Sequence, residues 1–233
     1  MRESAERSLA SGTLTVVSDV ICPWCYVGKR HLERAVAELE REGMLLDVEW
    51  RPFQLNPEIP DAGLDRRAYR EAKFGAARSD AYDRQMVQLG SGIDIGFRYD
   101  LIKRTPNTLA SHVMIADARR AGGLEMQNLA VEALFSAYFI KGRDVGRDDV
   151  LRDIAREVGF DHGPSVDAEL WEMVQQEDRL FRESGVTGVP TYLLDGHFLF
   201  TGAQSTDMIA GAIRHARGAS IEAAFGQHLA EML

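Results

Sequence analysis

The chain of 233 residues has two cysteines, and both fall in one four-residue segment, Cys22-Pro23-Trp24-Cys25. A pair spaced this way closes a loop too small to constrain the unfolded chain much, so it makes a poor structural staple. The chemistry it suits is thiol–disulfide exchange: a thiolate attacks a sulfur, and a second thiol resolves the mixed disulfide. Only the thiolate attacks, and a free thiol with a pKa of about 8.5 is mostly protonated at neutral pH. The first turn of a helix favours the thiolate, because it offers unpaired N–H groups and the positive end of the helix dipole. Proline at the first helical position loses no hydrogen bond there. The expected site is therefore a strand leading into a helix that opens at Pro23. Cys22 would be the exposed attacking thiol, and Cys25 the more buried resolving thiol with the higher pKa.

Stepping along the chain, residues 14–21 (LTVVSDVI) are rich in β-branched residues and read as a buried strand. Leu32, Val36 and Leu39 then recur at helical spacing, with Gly43 as a stop. Residues 45–51 alternate Leu46, Val48 and Trp50 on one face of a second strand. Strand, helix and strand at this spacing make a βαβ unit with parallel strands. Residues 52–64 hold three prolines and a glycine and read as an extended connection. A helical stretch follows to about residue 184. Its apolar stripes are Met126, Leu129, Ala130, Ala133, Leu134 and Ala137; then Val150, Leu151, Ile154, Ala155 and Val158, capped by Asp148; then Leu170, Met173, Val174 and Phe181. Residues 107–118 are helix-like too, with Asn107 or Thr108 as cap. At 190–201 two short apolar runs flank Asp195-Gly196, a type I′ hairpin signal. A closing helix carries Ile209, Ala212, Ile213 and Ala216, capped by Ser205 or Thr206, and a last stretch carries Ile221, Ala224, Phe225 and Leu229. The order is βαβ, a helical block, then ββα: an α/β sheet with one parallel and one antiparallel pair and helices on both faces.

Composition narrows the function. The formal net charge is −9, and the Lys and Arg residues are scattered along the chain, which argues against nucleic acid and anionic lipid as partners. No apolar run approaches the roughly 20 residues of a membrane span. The segment MRESAERSLASG lacks the apolar stretch of a signal peptide, so a cytoplasmic location is expected, where structural disulfides are rare. Zinc is the main rival for a C-x-x-C, but structural zinc wants four ligands. There is no third cysteine, and the six histidines show no paired spacing, so no metal is expected.

The segments SDVICPWCYVGKRHLE, RPFQLNPEIP, NTLASH, LFSAYFIKGRDVG and GVTGVPTYLLDGHFLFTGAQ, in that order, resemble the DsbA-like thioredoxin superfamily, specifically its cytoplasmic FrnE-like branch. The resemblance spans about residues 13–216. It implies a thioredoxin fold with a large α-helical domain inserted between the βαβ and ββα halves: 13–60 with 185–218 as the thioredoxin-like domain, 61–184 as the insertion, and 219–233 as a C-terminal helix. It implies dithiol–disulfide oxidoreductase or isomerase activity, with Pro23, Trp24, Val189 and Pro190 beside the two cysteines. Val189-Pro190 would be a cis-proline loop whose Val189 backbone pairs with an extended substrate; on pattern alone Pro190 is a strand-start proline. Periplasmic oxidants of this kind carry histidine before the second cysteine. Trp24 brings no charge there, which points to a less oxidising protein working as reductase or isomerase. No cofactor beyond the redox-active pair is implied; the reductant would be glutathione or a thioredoxin-type protein, and the substrates disulfide-bearing proteins or small thiols. The apolar stripes of the insertion and C-terminal helix offer surface for a homodimer. The rival within the superfamily is a glutathione-dependent isomerase or transferase of the kappa-class type. Such proteins place serine where Cys22 stands, and a second thiol does nothing for them. A non-catalytic, redox-switched binding module is a further rival, distinguished by turnover.

Several neighbours of the motif admit two roles. Trp24 is either a substrate-facing platform or a rim aromatic. Lys29 and Arg30 read as a solvated helix face rather than partners of Cys22. Asp19 reads as a strand-end polar residue rather than a proton acceptor for Cys25. Asn107 and Thr108 read as caps, and His112 and His31 as helix-surface histidines, rather than cleft residues.

Overall fold

The computed structural model describes residues 11–163 and 168–231, with side chains through residue 218. Residues 1–10 and the stripe of Ile221, Ala224, Phe225 and Leu229 lie outside those described side chains. The chain opens with β1 (Ser11–Ser18), α1 (Pro23–Arg41) and β2 (Leu45–Pro52). A block follows of β3 (Leu64–Asp65), α2 (Arg66–Phe74), α3 (Ala76–Ser91), β4 (Arg104–Thr105), α4 (Leu109–Phe139), α5 (Asp148–Val158) and α6 (Ala168–Glu183). The chain closes with β5 (Thr191–Leu194), β6 (His197–Thr201) and α7 (Thr206–Glu231).

The main sheet runs β2-β1-β5-β6. Strand β1 is parallel to β2, with Leu14 opposite Val48, and antiparallel to β5, with Val16 opposite Tyr192. As an inner strand covered on both faces it buries consecutive residues, Val16 and Val17 included, and so reads as a β-branched run rather than an alternation. The hairpin between β5 and β6 turns on Asp195 (φ 50°) and Gly196 (φ 79°), both positive as a type I′ turn requires. This is a thioredoxin fold with helices inserted between the halves of its sheet.

One apolar core joins the sheet to the inserted helices. Leu14, Val16, Tyr26 and Tyr192 share a buried cluster with Phe135, Phe139, Leu151 and Ile154. Tyr26 of α1 stacks on Phe135 of α4, with ring centroids 4.9 Å apart. Strand β2 lies at the sheet edge, and Gln127 of α4 satisfies part of it: the Trp50 N–H donates to Gln127 Oε1 (3.1 Å), and Gln127 Nε2 donates to the Trp50 carbonyl (2.9 Å). A side chain thus occupies hydrogen-bonding positions that would otherwise invite another strand.

Some expectations shift. The first strand stops at Ser18, because Asp19 opens a turn in which its carbonyl accepts the Cys22 N–H (3.0 Å). Helix α4 is broken at Gly122 and Gly123, the second at φ 70°, which separates the two helical stretches legible at 107–118 and 126–137. The β3–β4 pair was not expected; two residues a side are too few to show a period of 2. Asp148 is the first helical residue of α5 and Arg147 takes the cap position, so Asp148 acts through the helix dipole rather than as cap. Leu129 and Met173, assigned to buried stripes, are 47% and 41% exposed; on α4 the buried face is Ala130, Leu134 and Ala137 of the expected stripe joined by Val131 and Phe135. The closing helix runs continuously through Gly218 to Glu231 rather than as two pieces. Ser205 caps it, accepting the Met208 N–H at 3.3 Å.

Candidate active site

Cys22 occupies the N-cap position of α1 in an extended conformation (φ −90°, ψ 110°), with Pro23 opening the helix. Its carbonyl accepts the Cys25 N–H (3.0 Å), so the two thiols are folded over one turn. Both sulfurs are free thiols. The expected contrast in exposure takes a particular form. Cys22 is itself 4% exposed and Cys25 not at all. What separates them is access, since Cys22 lines an open cleft of about 530 Å³ and Cys25 does not. Burial, together with the neighbouring Cys22 sulfur, pushes the Cys25 thiol well up, only partly offset by hydrogen bonds from the Ser18 hydroxyl and the Asp19 backbone.

The opposite wall is the turn before β5. Val189-Pro190 is a cis peptide, and the Cys22 thiol donates to the Val189 carbonyl at 3.6 Å. The turn is pinned: the Thr191 hydroxyl donates to the Gly188 carbonyl (2.7 Å), and the Thr201 hydroxyl to the Pro190 carbonyl (3.1 Å). Gly28 lets α1 approach it closely, since a Cβ there would stand 2.5 Å from the Tyr192 hydroxyl and 3.3 Å from Pro190 Cγ. Pro23, Trp24 and Val189 all line the cleft.

The third wall comes from the insertion. Helices α2 and α3 place Arg66, Arg70, Lys73 and Arg78 around the opening, with Tyr69, Phe74 and Tyr82 between them; Tyr99, Tyr138 and Phe139 form the floor. Trp24 and Tyr82 line the same cleft. Burial, with Cys22 nearby, pushes the Tyr82 phenol up to about 12. Trp24 is a half-buried wall of the cleft.

Residues 13–214 match the DSBA-like thioredoxin domain family. The chain belongs to that family. Its relatives include the uncharacterized protein YwbO of Bacillus subtilis, 25% identical over 205 residues that cover 86% of this chain and 94% of YwbO. Among solved structures it is similar to a probable DsbA oxidoreductase, SCO1869 of Streptomyces coelicolor: TM-score 0.78, 26% identity, 89% of this chain and 90% of that one. It shares its fold with the cytosolic disulfide reductase DsbM of Pseudomonas aeruginosa, with a TM-score of 0.57 and 20% identity over 92% of this chain and 99% of that one.

Around the motif of this DsbA-like chain, two local readings are corrected. Lys29 is not on a solvated face: it is 1% exposed, its ammonium held by Glu33 and by Glu132 of α4 (3.2 Å). Arg30 joins the same cluster through Glu132 (2.8 and 2.5 Å). Both cations are drawn to carboxylates because α1 packs on α4 along that face. His112 is not on the surface either. It is 4% exposed, with Nε2 at 3.6 Å from Oδ1 of the fully buried Asp19. The other Asp19 oxygen accepts the Leu55 N–H (2.7 Å), which fixes the loop bordering the cleft. Thr108 takes the cap position of α4 without a side-chain bond, while Asn107 before it accepts the Leu109 N–H (2.9 Å); Asn107, Thr108 and His112 do not line the cleft. His31 is half-buried against Thr206, with Nδ1 and Oγ1 3.3 Å apart.

The cationic and aromatic wall was missed entirely. Its signal lies in residues 66–82 (RRAYREAKFGAARSDAY), where bases and aromatics interleave within an acidic chain. Four of the Lys and Arg residues, Arg66, Arg70, Lys73 and Arg78, meet at this one opening. Among the described residues no group of three or more His, Cys, Asp or Glu is placed to hold a metal ion, and no helix is long and apolar enough to cross a membrane.

Proposed function

We propose that this chain is a cytoplasmic dithiol–disulfide oxidoreductase that reduces or isomerises disulfides through Cys22 and Cys25. The observation that carries the reading is the asymmetry of the pair: Cys22 opens on a cleft, and Cys25 is sealed behind it with its thiol pushed up. In the reducing direction the Cys22 thiolate attacks a substrate S–S bond, and the departing substrate sulfur takes up a proton. Cys25 then loses its proton and attacks the Cys22 sulfur. The second substrate thiol is released, and the protein holds the disulfide. The substrate gains two electrons, which a thiol reductant of the glutathione or thioredoxin type must restore. For isomerisation, the released thiol attacks elsewhere before Cys25 intervenes.

Pro23 opens the helix that presents Cys22. Val189 offers its backbone to an extended substrate beside the thiol, in a turn that Pro190 shapes. Trp24, uncharged where a histidine would stabilise the thiolate, supports the reducing direction, as does the likeness to a protein described as a cytosolic disulfide reductase. The kappa-class glutathione-transferase reading gains nothing from a second thiol folded over the first. Cys25→Ser should accumulate a mixed disulfide at Cys22, and Cys22→Ser should abolish exchange; full cycling by Cys25→Ser would remove Cys25 from the mechanism. Equilibration with graded glutathione, with thiols counted by mass, should give a potential near roughly −270 mV. A value near roughly −120 mV would make the protein an oxidant and overturn the argument from Trp24.

A further inference from the structure

We infer that the cleft over Cys22 selects disulfides that carry carboxylates close to the sulfur, through the cationic rim of α2 and α3. The inference rests on the reading of Cys22 as the attacking thiol. Among the described residues no Asp or Glu lines this cleft, whereas Arg66, Arg70, Lys73 and Arg78 all do. Among the described residues their one ion-pair partner is Asp83, which Arg66 meets at 2.9 and 2.8 Å and Arg70 at 3.2 Å. Lys73 donates to neutral oxygens, Asn56 Oδ1 (2.7 Å) and the Tyr69 hydroxyl (2.8 Å), and so keeps its charge unopposed. The exposed Arg78 has no carboxylate within ion-pair distance among the described residues.

The contrast with other cationic clusters is what gives the rim meaning. Lys29 and Arg30 are neutralised by Glu33 and Glu132, and Arg214 by Glu38 and Glu42. In a chain of net charge −9, an opening with surplus positive charge runs against the global balance. The aromatic rings hold the cations in place. The Arg70 guanidinium lies 5.3 Å from the Phe74 ring and 5.4 Å from Tyr82, and the Lys73 ammonium 5.3 Å from Tyr69. The cleft thus offers apolar ring surface to the carbon skeleton and positive charge to an acid group beyond it. Its volume of about 530 Å³ falls within the roughly 300–1,000 Å³ of small-molecule sites. The carboxylates take no part in bond making; electrons and protons move as in the exchange described above. Exposed ion pairs are each worth up to on the order of fivefold in binding, and a cleft lined by one sign of charge raises association rates by about 10–1,000-fold.

The test uses a matched pair of substrates with two-carbon arms on one S–S bond: 3,3′-dithiodipropionate, a dianion, and cystamine, a dication. Rates of oxidation of the reduced protein are divided by those of a free model thiol, which removes intrinsic reactivity. The expected acid-to-base ratio is at least about tenfold at low salt. It should fall toward one at high ionic strength and in the Lys73→Gln/Arg78→Gln double variant, whose folding is checked by thermal melting. A second pair, short cystine peptides flanked by Glu or by Lys, separates sources: a preference confined to the peptides assigns the same chemistry to acidic polypeptide segments. Equal normalised rates for acid and base in both pairs would overturn the inference and leave the oxidoreductase reading standing. So would a ratio that survives in the double variant. Failure of the reduced protein to react with any of the four disulfides would instead overturn the oxidoreductase reading itself.

Discussion

Replacing Glu132 by glutamine removes one negative charge from the cluster that fastens the redox helix to the insertion. Glu132 faces three groups of α1: the Lys29 ammonium at 3.2 Å, the Arg30 guanidinium at 2.8 and 2.5 Å, and the Tyr26 hydroxyl, which donates at 2.9 Å. Lys29 is 1% exposed, so its charge has almost no water to fall back on. Removing one partner of a fully buried pair costs about 3–5 kcal/mol. Two features lower that here. The Glu132 side chain is 32% exposed and so partly screened, and Lys29 keeps Glu33. A cost of about 2 kcal/mol remains, and at about 2–4 °C per kcal/mol for a domain of this size the melting temperature should fall by roughly 4–8 °C at pH 7. The pH dependence follows from the same contacts. Burial raises the Glu132 carboxyl, but the Arg30 hydrogen bond and the charges of Lys29 and Arg30 outweigh it, and the group sits below its ordinary value. A carboxyl depressed in the folded state contributes its stability above the unfolded pKa and loses it as pH falls through the folded one. The gap between wild type and Glu132→Gln should therefore be full at neutral pH and close below about pH 4. Calorimetry across that range is the assay. A fall of less than about 1 °C at pH 7, or a gap that does not close in acid, would refute the account of the cluster.

The raised Cys25 thiol works in the opposite direction: its contribution is fully present below the unfolded thiol pKa of about 8.5 and is lost as pH rises toward the folded value. Denaturant melts of the reduced protein and of Cys25→Ala should accordingly converge between about pH 8 and 10, and parallel curves would contradict the direction of the shift. Gly28→Ala forces a methyl against the Tyr192 hydroxyl and Pro190, so it should cost about 1–3 kcal/mol by overpacking. In a Cys25→Ser background it should also slow mixed-disulfide formation, because the displaced turn carries the Val189 carbonyl that faces Cys22; an unchanged rate would separate that turn from the chemistry. Trp24→His adds a cation next to the pair and should raise the redox potential by roughly 20–30 mV, the equivalent of about 1 kcal/mol for a two-electron couple, measured by glutathione equilibration. A potential that stays put or falls would show that the charge of this side chain does not set the poise.

How much of this was written in the sequence depends on the range of the interaction. The strand–helix junction at Cys22 and Pro23, the Asp195-Gly196 turn, the Ser205 cap and the apolar stripe of α5 rest on residues within a few positions of each other, where backbone sterics and hydrogen bonding act locally. The family was legible for the same reason, through contiguous segments such as CPWCYVG and GVPT. Lys29 was different, because a lysine beside an arginine on a helix looks solvated until α4 brings Glu132 against it from 103 residues away. His112 looked like a surface residue until the fold set it 3.6 Å from Asp19. The cationic rim could have been suspected from the alternation of bases and aromatics at 66–82, but nothing local says that α2 and α3 stand over Cys22. Which charges are neutralised, which are left over, and what walls the cleft beside Cys22 were decided by tertiary packing. Pairing energies depend on distance and burial in space, and the sequence sets those only through the completed fold.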